Sequence, residues 1–291
     1  MGIAAYLAWG FMPLFWPLVK PASALEILAH RVTWSLLFVG ALLARAGGLR
    51  KLLTLGRRRF SLLAVASLLV GCNWGLYIWG VNSGHVVEAA LGYFINPLLT
   101  VLLGVVVLRE SMRPAQWAAI AIVVIAVVVL AFDYGRLPWI ALALAGTFGA
   151  YGLVKKQVGV SALEGLFVES AFLFLPAVIY LVVLETRGTA TFGHGSPSTS
   201  ALLLLTGALT AMPLLAFAGA ANRIPLSLMG PLQYISPSLQ FLCGVFVYRE
   251  AMPTSRWLGF GLVWAALGVF LVDGALARRG QLATSRSSRG R

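Results

Sequence analysis

Ten stretches of this chain are apolar for long enough to cross the roughly 30 Å hydrocarbon core of a bilayer at about 1.5 Å per helical residue. They fall at residues 2–19, 27–44, 61–82, 87–108, 115–132, 137–154, 163–184, 200–221, 227–248 and 257–277. In lipid each is expected to be helical, because an open strand leaves backbone groups unpaired where no water reaches them. The chain is 60% hydrophobic and 11% charged, whereas water-facing domains carry about a quarter charged residues. The expected fold class is an all-α polytopic membrane protein with ten transmembrane helices.

The chain also repeats itself. FINPLLTVLLGVVVLRESM at 94–112 returns as YISPSLQFLCGVFVYREAM at 234–252, a constant shift of 140 without a gap. Ten of the nineteen aligned pairs are identical, including Pro97 with Pro237, Gly104 with Gly244 and Arg109 with Arg249. The same shift pairs Asn82 with Asn222 and Asp133 with Asp273, and SALE at 23–26 recurs at 161–164, a shift of 138. So long a period marks a duplicated half and not a short solenoid unit. Five spans per half is an odd number, so the second half enters the bilayer upside down, as in many secondary transporters. The expected units are residues 1–136 and 137–277, followed by a basic disordered tail at 278–291.

Charge orients the chain. With the N-terminus inside, sixteen of the 22 Lys and Arg residues fall on the inner side, five on the outer, and Arg31 within a span. Such a bias places both termini in the cytoplasm. The net charge of +13 is thereby explained by inner loops, and no nucleic-acid partner is expected. The first apolar run lacks a basic leader and a small-residue cleavage site, so it reads as a span and not a cleavable signal. Cys72 and Cys243 lie in apolar runs and read as buried free thiols.

Several motifs carry a family resemblance: YLAWGFMPLFWPL, EILAHRVTWSL, NWGLYIWGVNSGHVVEAALGYFINPLL, YGLVKK and MPLLAFAGAANR with LQYISPSLQFL. Across essentially its whole length the sequence resembles RarD proteins of the EamA group in the drug/metabolite transporter superfamily. The resemblance implies two inverted five-helix EamA halves, a bacterial inner-membrane location, and export or exchange of small organic metabolites or drugs. It also implies a cavity lined by spans one, three, four, six, eight and nine. Family members usually open on a short polar leader, whereas Met1 here opens directly on the first span.

Within that frame the candidate site residues can be named. Proline lacks the N–H that bonds the carbonyl four residues back. Pro97 should therefore free the carbonyl of Tyr93, Pro237 that of Gln233 and Pro13 that of Trp9, with Pro213 a fourth expected helix break. The polar neighbours Asn96 and Ser236, with Tyr234, place a binding site near the bilayer midplane. Asn73, Trp74 and Tyr77 on the third span add polar and aromatic surface, Trp74 and Tyr77 being three apart on one helical face. Tyr151 stands in the sixth span. Charges inside spans are functional candidates because burial there is costly. Arg31 and Glu169 stand at matching places after the two SALE motifs. They lie on the order of 10 Å apart in depth, which favours two separate wet vestibules over a salt bridge. Arg31 would attract anionic groups. Glu169, as a carboxylate without a close cation, would carry a coupling proton, with Glu88 nearer the outer mouth as a weaker candidate.

Other functions fit less well. Three histidines without H-x-x-x-H or H-x-x-E spacing supply no intramembrane catalytic centre and no metal site, and no cofactor is expected. A channel would more naturally use rings of like charge or carbonyl filters, and a receptor or scaffold has no need of an inverted duplication.

Overall fold

In the computed structural model residues 1–52, 55–109, 112–221 and 232–289 are described. Asn222, Glu110 and the start of the expected ninth span, 227–231, lie outside them. All regular structure among the described residues is helical. In chain order the helices are α1 (Gly2–Gly10), α2 (Met12–Phe15), a 3-10 turn (Trp16–Val19), α3 (Ala24–Arg45), α4 (Leu49–Leu52), α5 (Arg57–Asn82) and α6 (Val86–Leu108). There follow α7 (Pro114–Tyr134), α8 (Trp139–Val158), α9 (Ala162–Thr186), α10 (Pro197–Ala221), α11 (Ile235–Leu242) and α12 (Thr254–Arg289). A π-helical turn at Cys243–Val247 extends α11.

Seven of these, α3, α5, α6, α7, α9, α10 and α12, are long and apolar enough to cross a membrane. The segment Gly2–Gly10 plus Met12–Val19 makes an eighth if its two parts, bent by 44°, form one span. Trp139–Lys155 and Ile235–Val247 are shorter apolar helices. The outer surface is rich in large apolar side chains, among them Phe132 at 84% exposure, as lipid contact requires.

Four prolines were expected to break their helices, and two do not. Pro13 follows the bend at Phe11, within the first turn of α2, and Pro237 lies in the first turn of α11 after a turn at Gln233–Tyr234. Those are the positions where a missing N–H costs least. Pro97 and Pro213 instead lie inside α6 and α10, which run on through them, as packed transmembrane helices often allow. Cys72, expected to be buried, is exposed on α5, whereas Cys243 is buried. The basic tail, expected to be disordered, continues α12 as far as Arg289.

The ends of the two SALE-led helices show why the motif recurs. Ser23 caps α3 by accepting from the Glu26 N–H at 3.1 Å, and Ser161 caps α9 by accepting from the Glu164 N–H at 3.3 Å. Each satisfies an N–H that has no intrahelical acceptor. The helices then pack closely where glycine permits. A Cβ on Gly207 of α10 would overlap the backbone of Trp34 on α3, and one on Gly10 of α1 would overlap Leu239 of α11. Glu250, following the π turn, accepts from the N–H groups of Val86 and Val87 at 2.5 and 3.1 Å and so caps α6. Burial raises the Glu250 carboxyl above the usual range, while these two N–H groups pull it back.

Candidate functional site

Four helices and the bent N-terminal segment converge on Arg31. Its residue retains 7% exposure, and its Nε donates to Thr210 Oγ1 of α10 at 2.8 Å. The guanidinium lies over the Trp74 ring of α5, 3.9 Å from its centroid, and 5.5 Å from the Trp16 ring. Cation–π contacts of this kind strengthen where water is excluded. One turn along α5 from Trp74, Tyr77 packs edge-on against Tyr93 of α6, with ring centroids 5.6 Å apart. Trp16, Tyr77 and Tyr93 belong to one apolar cluster with Tyr248 at its edge.

Asn73 explains how this wall is held. Its Nδ2 donates to the Leu144 carbonyl and to Thr147 Oγ1 of α8, both at 2.9 Å, and its Oδ1 accepts from the Tyr93 hydroxyl at 3.2 Å. The side chain has no exposed surface, and both its N–H groups are engaged. Asn73 ties α5, α6 and α8 together and positions Tyr93.

A second polar cluster surrounds Glu169 of α9, which is 2% exposed. Lys155 of α8 lies 2.7 Å from Oε1, and the Tyr151 hydroxyl donates to Oε2 at 3.1 Å. The sequence reading of a carboxylate without a close cation is therefore corrected. Lys155 stands just past the expected sixth span at 137–154, but its long stem runs back along Gly165, where a Cβ would collide with its Nζ. Arg31 and Glu169 make no bond to each other. Glu88 is likewise paired: it receives both terminal nitrogens of Arg136 at 3.2 and 2.8 Å and the Ile140 N–H at 3.1 Å. Those hydrogen bonds raise the Arg136 pKa further above its ordinary value.

The bend at Pro13 has its own partner. The carbonyl of Trp9 accepts from Gln240 Nε2 of α11 at 3.2 Å, and the same nitrogen donates to Ser236 at 3.2 Å. The Pro13 carbonyl accepts from the Tyr248 hydroxyl at 2.6 Å. Trp9 also packs with Tyr6 and Phe217. Thus Trp9 and Ser236 meet through Gln240 at the α1–α11 contact, while Pro13 is tied to Tyr248 beyond the π turn. Asn96 stays apart from them, its carbonyl accepting from Thr100 at 2.8 Å beside Gly149 of α8. Gln233 and Tyr234 form the turn before α11, and Pro213 lies within α10.

Sequence reasoning missed Lys155, Thr210, Trp16, Gln240 and Arg136. Gln240 had a readable signal, one turn beyond Ser236 on the same helical face. The others become visible only when separate helices are brought together.

Together these features define a polytopic helical membrane protein whose polar groups are turned inward between helices. Comparison with known proteins gives the family. Residues 1–132 match the model of the EamA-like transporter family. Protein RarD of Streptomyces exfoliatus is 51% identical over 100% of this chain and 90% of that protein. Protein RarD of Escherichia coli K12 is 40% identical over 96% of this chain and 95% of its own length. A crystal structure with 19% identity aligns over 92% of this chain and 95% of its own, with a TM-score of 0.61. At that identity it speaks to the fold alone. The chain belongs to the RarD-type proteins of the EamA transporter family, and is a multi-pass membrane transporter.

Proposed function

We propose that the protein is a secondary-active carrier that exports or exchanges small organic molecules across the bacterial inner membrane by alternating access. In this reading ten spans form two five-helix repeats of inverted topology, residues 1–136 and 137–277, with both termini cytoplasmic. One observation carries it: the most extensive helix contacts map onto one another when each span is exchanged with the one five further on. Thus α1 packs on α10 and α11, while α8 packs on α5 and α6. Likewise α3 packs on α10 as α9 packs on α5, and α3–α9, α6–α11 and α7–α12 pair with their own counterparts. Arg109 and Arg249, 140 residues apart, are also the non-glycine residues with positive φ, at 56° and 52°, among the described residues. L-residues rarely adopt that conformation, so its recurrence at matched places supports a common backbone plan.

Transport would centre on the aromatic wall of Trp74, Tyr77 and Tyr93 and on the α1–α11 contact, with Glu169, Lys155 and Tyr151 as the proton-handling group. A carboxylate that can exchange its proton beside a lysine lets the site change charge without leaving a bare ion in lipid. Saturable flux in proteoliposomes tests the carrier, and single cysteines at Arg109 and Arg249 should label from opposite faces. Glu169→Gln keeps the shape of a protonated carboxyl, so exchange of bound substrate should persist while accumulation driven by a pH gradient is lost. Uphill accumulation by the Gln variant would remove Glu169 from the coupling step.

A further inference from the structure

We propose that Arg31 is the anion anchor of the binding site, and that the transported molecules are organic carboxylates with a flat apolar or aromatic body. The proposal rests on the carrier reading and adds the substrate class to it. The starting point is a charge that the protein does not balance. Among the Lys and Arg residues whose side chains are described, Arg31 alone is buried. The chain has nine Asp and Glu residues, and eight are engaged elsewhere. Glu88, Asp133, Glu169 and Asp273 face Arg136, Arg256, Lys155 and Arg113 respectively. Glu26 accepts from Thr191, Glu164 from Ser161, Glu185 from His194, and Glu250 from Val86 and Val87. The ninth, Glu110, lies outside the described residues, in sequence just beyond the far end of α6.

What Arg31 does have is a hold that leaves its fork open. Thr210 takes Nε, and Trp74 takes one face of the plane, while the two terminal amino groups bond to no described residue. A buried cation without a counter-ion is expensive unless a ligand supplies the charge. Beside it stand two further polar side chains more than nine-tenths buried and without a partner among the described residues, the Tyr77 hydroxyl and Trp16 Nε1. Tyr77 and Tyr93 both lie within electrostatic reach of the guanidinium.

The chemistry selects a carboxylate. A guanidinium fork binds two coplanar oxygens by two parallel hydrogen bonds, and one negative charge cancels the one positive charge. A phosphate dianion would leave an excess charge at this depth. The rings of Trp16, Tyr77 and Tyr93 offer apolar and edge-on contacts to the rest of the molecule.

The test uses the purified full-length protein in lipid nanodiscs and a panel of organic acids, each matched with its amide and amine, with 3-phenylpropanoate, 3-phenylpropanamide and 3-phenylpropylamine as the lead set. Binding is read by thermal stabilisation. Acids should bind, with amides and amines weaker by at least about tenfold. Arg31→Gln should weaken acid binding by about 100-fold and Arg31→Lys, which keeps charge but loses the planar fork, by about tenfold. Thr210→Val, which frees Nε without removing the charge, gives a smaller loss and serves if Arg31→Gln does not fold. Equal binding of amide or amine, acid binding indifferent to Arg31, stronger binding of the matching phosphonates, or no acid bound at all would each overturn the proposal. Flux in proteoliposomes separates the two claims. Arg31-dependent acid binding without saturable flux removes the carrier and leaves the anchor, whereas flux confined to neutral or cationic solutes does the reverse.

Discussion

Arg31 and Glu169 stand 138 residues apart at the same distance beyond a SALE motif, each on a helix capped by the motif's serine. Their surroundings differ in kind. Glu169 is enclosed by a cation and a phenol, so its charge is settled inside the protein. Arg31 has a hydroxyl, an aromatic face and no carboxylate among the described residues. The two matched positions share a serine cap, yet one has an internal ion-pair partner and the other has none among the described residues. Matched positions in a repeat need not share chemistry, because packing fixes the helix while each side chain answers only to its own neighbours.

This contrast predicts unequal responses to substitution. The largest should follow Lys155→Met, which strands a carboxylate that is 2% exposed. Breaking a buried pair by removing one partner costs about 3–5 kcal/mol, measurable as reversible unfolding in mild detergent. Adding Glu169→Gln should restore most of it; a single variant as stable as the parent would show that water, not Lys155, balances the charge.

The α3–α10 contact beside Arg31 comes next. Gly207→Ala drives a methyl into the Trp34 backbone, and overpacking of this kind costs about 1–3 kcal/mol. The variant should also displace Thr210, so ligand binding and stability should fall together. An unperturbed variant would mean that the two helices approach less closely than this.

Asn96→Ala and Ser236→Ala each delete one modest hydrogen-bonding group, so apparent affinity should fall by about 1 kcal/mol with insertion unchanged. Concentration-dependent uptake checks both. Smallest of all should be the effect of Arg31→Met on stability, within about 1 kcal/mol, because losing a cation–π contact is offset by no longer burying an unpaired cation. If Arg31→Met proves as costly as Lys155→Met, the contrast between the two sites fails.

The helices themselves were readable in the sequence, since span length, lipid contact and serine caps are local properties. The apolar run at 115–132 became α7 at Pro114–Tyr134, and that at 163–184 became α9 at Ala162–Thr186. Broken regions were less legible. Pro97 and Pro237 share a repeat position, yet only the second lies beside a helix end, because continuity through a proline depends on what packs around it. The site was half legible. Trp74 and Tyr77 could be placed on one face by their spacing, but Asn73 is consumed by α8 and Lys155 reaches a carboxylate fourteen residues away. Such pairings arise from how helices are assembled and leave no periodic trace.

The antiparallel pair α7 and α12 has a mechanical meaning. Arg113 at the start of α7 meets Asp273 late in α12, and Arg256 at the start of α12 meets Asp133 late in α7. The Arg113–Asp273 bridge is partly exposed and adds little energy, whereas Arg256–Asp133 is largely buried; the two act at opposite ends. Sliding one helix past the other by a single turn, about 5.4 Å, would part both at once. Rotation of the pair as a unit disturbs neither. The two bridges therefore tie these helices into one antiparallel rod, pinned at both ends against sliding.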